Sequence, residues 1–81
     1  MEVNIVYDGA KERVSKSGNT YLEIYVREIM NDGEADFQQR VYRSFEDSVM
    51  QKCKHLKKGT ALVAELEIRD ALVTNISTEL L

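Results

Sequence analysis

Five strands interrupted by one helix, in the order β-β-β-α-β-β, make up the architecture that this 81-residue sequence predicts. Three observations point to it. Residues 20–29 alternate aliphatic with aromatic or charged side chains at a period of two. Two polar, glycine-bearing segments, Ser15-Lys16-Ser17-Gly18-Asn19 and Asn31-Asp32-Gly33-Glu34, punctuate the N-terminal half as hairpin turns. The period then changes once, after Ser44, to that of an amphipathic helix. The expected product is one mainly β domain over residues 1–81, because the length leaves no room for a second core. With 43% hydrophobic and 31% charged residues the chain has enough apolar area to fold without a partner. No proline, internal repeat or low-complexity stretch divides it.

The first strand carries Val3 and Ile5 on one face, and its pattern resumes after Gly9 towards Val14, so Gly9 marks a bulge or bend in one long strand. The Gly18-Asn19 pair closes a hairpin into the second strand, because both residues tolerate positive φ. There Leu22, Ile24 and Val26 form an inward aliphatic face, which sends Tyr21, Glu23, Tyr25 and Arg27 outward. Residues 36–43 follow as a third strand, with Phe37 and Val41 expected on the core side and Gln38, Arg40 and Tyr42 opposite. Ser44 is expected to cap the helix, with Asp47 three residues on as the acid of a capping box. Phe45, Val49, Cys53 and Leu56 make one apolar stripe, and Gly59 supplies a left-handed stop. Leu62, Ala64, Leu66 and Ile68 then point inward from the fourth strand. After a turn at Asp70 the fifth carries Leu72, Thr74 and Ile76.

Composition excludes several function classes. The N-terminus lacks the charged and apolar regions of a signal peptide, and no run approaches the length of a membrane span, so a cytoplasmic protein without a membrane partner is expected. The single Cys53 cannot form an internal disulfide, and it lies on the apolar stripe, where a free thiol packs as a small hydrophobe. His55 has no acid or Cys partner at ligand spacing, so neither a metal nor any other cofactor is expected. Lys52, Lys54, Lys57 and Lys58 suit the C-terminal end of a helix dipole. No phosphate loop, nucleophile elbow or paired His/acid motif is present, which points away from an enzyme.

Five strands with one helix between the third and fourth is the order of the OB fold, a partly open Greek-key barrel. Lys16-Ser17-Gly18-Asn19-Thr20-Tyr21 and Leu56-Lys57-Lys58-Gly59-Thr60 resemble the segments that enter the second and fourth strands of bacterial and phage single-stranded-DNA-binding proteins of this type. The resemblance in layout covers nearly the whole chain and implies sequence-tolerant binding of single-stranded DNA in replication or recombination. Two departures favour a minimal phage-type or mobile-element protein. The chain stops at Glu79-Leu80-Leu81 without the acidic tail that bacterial members append, and it has tyrosines where they favour Trp or Phe.

On the residues alone, Tyr21, Tyr25 and Arg27 face outward from strand two, and strand three is expected to add Arg40 and Tyr42 beside them. Aromatic rings stack bases while neighbouring arginines meet phosphates. Lys11, Arg13 and Lys16, on or near the first hairpin, extend the basic track, and Glu23 on the same face weakens it. The net charge of −3 opposes a phosphate-bearing partner unless the cations are gathered locally. Two other partners stay open: RNA, read through its 2′-hydroxyl, and a protein, which the outward Glu65 and Glu67 would suit. A small core and the apolar ending Leu80-Leu81 point to a homo-oligomer, a dimer or larger.

Overall fold

The computed structural model describes residues 1–78; Leu80-Leu81, the ending on which assembly is expected to rest, lies outside the described residues. The elements are β1 (Glu2–Val14), β2 (Thr20–Glu28), β3 (Arg40–Ser44), α1 (Asp47–Cys53), β4 (Ala61–Leu66) and β5 (Val73–Ser77). The strands form one antiparallel sheet in the order β3-β2-β1-β4-β5. The two outer strands meet at one isolated parallel bridge, between Arg43 and Leu72. The mainly β domain with a single helix between the third and fourth strands is thus the observed architecture. No helix among the described residues is long and apolar enough to cross a membrane.

β1 is the centre of the sheet because it is long enough to serve two neighbours. Its first half pairs with β4 from Glu2 to Val6, and from Ile5 onward it pairs with β2. The register shifts between Tyr7 and Ala10, where Gly9 adopts φ +120, a conformation closed to side chains with a Cβ. Alternation on β2 buries Leu22, Ile24 and Val26 against Ile5 and Tyr7 of β1 and Leu62, Ala64 and Leu66 of β4. Val49, Met50 and Cys53 of α1 and Val73 and Ile76 of β5 complete this core.

The structure departs from expectation where polar groups found partners that the pattern does not reveal. β3 begins only at Arg40. Before it, Gln38 donates its backbone N–H to Asp36 Oδ1 at 3.1 Å, an Asx turn that competes with ladder pairing. The facing of this strand is reversed, since Tyr42 lies opposite the buried Ile24 and packs against the core while Val41 is 51% exposed. Phe37, expected inside, is 97% exposed, and Phe45 stands outside the helix and is half exposed.

Ser44 is a fully buried member of β3 rather than the helix cap, and its Oγ donates to the Val73 carbonyl at 2.6 Å. The cap position belongs to Glu46, whose side chain makes no capping bond. The helix ends at Cys53, well before Gly59. The positive φ of Gly59 instead opens β4, with its N–H donated to the Tyr7 carbonyl at 2.7 Å. Ile68 sits exposed in the β4–β5 turn, and a register shift after Glu65 makes Val73 and Ile76 the inward residues of β5.

Candidate nucleic-acid interface

The outward side of the β1-β2-β3 meander is built by pleat geometry, since each side chain buried on β2 forces its neighbours to the opposite face. Tyr21, Glu23, Tyr25 and Arg27 therefore share one face, each of them partly exposed. Strand register sets their neighbours. Arg13 lies across from Tyr21, Lys11 and Arg43 flank Glu23 from either side, Val41 lies beside Tyr25, and Val6 lies beside Arg27. Lys16 stands exposed in the turn that joins β1 to β2.

Beyond the end of β3, Phe45 returns over this face and packs on Tyr21, with ring centroids 5.3 Å apart and planes inclined by 34°. The guanidinium of Arg43 lies 6.0 Å from the centroid of the same Tyr21 ring, at the outer range of a cation–π contact. Phe45 and Arg43 are the members that the sequence pattern missed. The signal for them was Ser44: once it and Tyr42 are taken as inward, positions 41, 43 and 45 fall on the outward side.

Arg40 and Tyr42 do not join this face. Both occupy the opposite side of β3, across from Val26 and Ile24, where Tyr42 donates its hydroxyl to Glu28 Oε1 at 2.8 Å and Arg40 lies 3.4 Å from the same oxygen. Burial, with the Glu28 bond second, pushes the Tyr42 hydroxyl up to about 12. The physical reason for the reversal is that an outer strand can turn amphipathic residues inward when a carboxylate or carbonyl at the rim satisfies their polar ends.

Two of the cations on the outward face are held by carboxylates. Arg27 donates from Nε and Nη2 to the two oxygens of Asp8 at 2.7 and 2.9 Å, the bidentate geometry that suits a guanidinium. Arg13 donates from Nε to Glu23 Oε1 at 2.8 Å, and Tyr25 donates its hydroxyl to the same oxygen at 3.3 Å. The hydrogen bond from Arg27 holds the Asp8 carboxyl below the usual carboxylate range, and that from Arg13 does the same for Glu23. Lys11, Lys16 and Arg43 make no ion pair among the described residues.

What the face offers chemically is a set of rings for stacking, with guanidinium and ammonium groups between them. The thiol of Cys53 is buried in the core and pushed up to about 11 by that burial, so it is protonated and inert at neutral pH. No group of three or more His, Cys, Asp or Glu side chains among the described residues is placed to hold a metal ion. No protein-family model and no curated protein matches the sequence.

Proposed function

We propose that this chain is an OB-type binder of single-stranded DNA that holds its ligand on the outward face of β1, β2 and β3 without reading sequence. The observation that carries the proposal is the half-exposed Phe45–Tyr21 ring pair with Arg43 beside it, on the same face as Tyr25, Lys11 and Arg13. Bases stack on such rings whatever their identity, for a gain of roughly 1–3 kcal/mol each, and the neighbouring cations meet the phosphates. The barrel assignment is supported by the strand order and by the Arg43–Leu72 bridge, which brings the outermost strands together as a Greek-key barrel requires. Local clustering of cations on this face offsets the overall acidity of the chain. Assembly into a homo-oligomer belongs to the same proposal, and sedimentation reads it directly.

A fluorescence-anisotropy titration with oligo-dT, duplex DNA and RNA at several salt concentrations tests the function. The expected result is preference for the single strand, with log K falling linearly against log salt. Tyr21→Ala and Phe45→Ala should each weaken binding by roughly five- to a hundredfold, the range that corresponds to one lost stacking contact. Arg40→Gln, on the other side of the sheet, should leave it unchanged. Absence of binding to every oligonucleotide at low salt rejects the proposal in favour of a protein-interaction module. Equal or tighter binding of RNA assigns the face to RNA instead.

A further inference from the structure

We propose that Glu23 stands in for a nucleic-acid phosphate on the outward face, occupying Arg13 in the free protein, so that a bound strand must displace its carboxylate. The inference rests on the binding function proposed above and identifies the residue that sets the affinity of that site. Glu23 lies two residues from Tyr21 and two from Tyr25, about 7 Å along the strand from each. A strand whose bases stack on both rings therefore runs its backbone over this carboxylate. Register places Lys11 on one side of Glu23 and Arg43 on the other, and Arg13 reaches diagonally from its position opposite Tyr21 to bond Oε1 at 2.8 Å. Tyr25 adds its hydroxyl to the same oxygen at 3.3 Å.

The site is thus a single negative charge among three cations, with a ring hydroxyl as an additional donor. This is the donor set that a phosphate oxygen would seek. The Glu23 side chain is 19% exposed against 46% for Arg13, so the carboxylate is partly covered by the residues that would contact the ligand. Asp8 and Arg27 form the other ion pair on this face, but there both carboxylate oxygens are engaged beside the bulge of β1. Glu23 holds Arg13 through one oxygen only, which makes it the exchangeable member.

Two consequences follow from the charge arrangement. A phosphate approaching Lys11 or Arg43 meets a like charge beside its intended partner, which weakens binding. A phosphate that captures Arg13 sheds its condensed cation, but the Glu23 carboxylate it displaces stays beside it and holds a cation back, so the interaction releases fewer ions than the number of basic residues implies. Binding to this face is accordingly looser and less dependent on salt than its cations alone would make it.

The test is Glu23→Gln, which keeps the shape and the acceptor oxygen for Arg13 and Tyr25 while removing the charge. Thermal unfolding verifies that the variant folds. Titrated with oligo-dT across a range of salt, E23Q should bind roughly fivefold or more tightly at low salt, with a slope of log K against log salt steeper by about 0.7, the contribution of one further phosphate on a single strand. R13Q should weaken binding by a larger factor in the E23Q background than in the wild-type protein, because only there does the guanidinium meet a phosphate without a competing carboxylate charge. Binding by both proteins with equal affinity and slope overturns this inference alone, as does an equal cost of R13Q in the two backgrounds. Binding by neither overturns the proposed function and this inference with it.

Discussion

Tyr42 packs its ring against the core beside Ile24 and satisfies its hydroxyl on Glu28 at 2.8 Å. The arrangement ties stability to alkaline pH. An unfolded tyrosine loses its proton near 10.0, whereas this one holds it up to about 12, so between those values the folded state binds more protons than the unfolded state. The stabilisation is complete below the lower value and is lost as pH rises through the interval. Cys53, pushed from 9.0 up to about 11 by burial, starts the same kind of loss earlier. Urea unfolding as a function of pH should show the midpoint falling from about pH 9 upward. Tyr42→Phe should lessen the slope above about 10, where Cys53 and the likewise raised Tyr7 still contribute, while costing about 1 kcal/mol at neutral pH for the lost bond. Such residues are poorly legible in a sequence. Alternation sends Tyr and Ser to the solvent side, and only a carboxylate on β2 and a carbonyl on β5, both distant along the chain, reverse Tyr42 and Ser44. Tyr21, Tyr25 and Arg27 were legible because the aliphatic residues between them leave β2 a single way to face.

Among the elements, β1 and β2 declare themselves most clearly, since each has enough alternating residues to outweigh a local turn. The bulge in β1 follows from one glycine. A Cβ at Gly9 would meet the Lys58 Cε at 3.3 Å, but φ +120 is the larger obstacle, because a flexible lysine end can move and the backbone cannot. Gly9→Ala should therefore destabilise the fold by about 1–3 kcal/mol in chemical denaturation, and adding Lys58→Ala should restore little of it. Full recovery in the double variant would instead make side-chain crowding the cause. β3 and α1 were harder to bound. Asp32 and Asp36 each accept a backbone N–H two residues ahead, and those local bonds hold the approach to β3 away from the ladder. The helix is only seven residues long, too short for an apolar stripe to fix its ends, so Phe45 and Leu56 fit the periodicity without belonging to it.

At the level of the molecule, the number and order of the elements could be deduced from local period changes, whereas the contact between the outer strands could not. Arg43 and Leu72 are brought together across the helix and β4, and no neighbouring residue records that meeting. The strand order carries a further implication through Phe37, which stands 97% exposed on the irregular approach to β3. Chymotrypsin should nick the native chain there before it reaches aromatic residues held in the ladders. One piece would contain β1 and β2, and the other β3, α1, β4 and β5. Because β2 pairs with β3 and β1 with β4, the shorter piece is a hairpin wedged between two strands of the longer one. The severed halves should co-elute as a single native-sized species and separate only in denaturant. A gene split at that loop would then yield two fragments that rebuild the sheet by complementation.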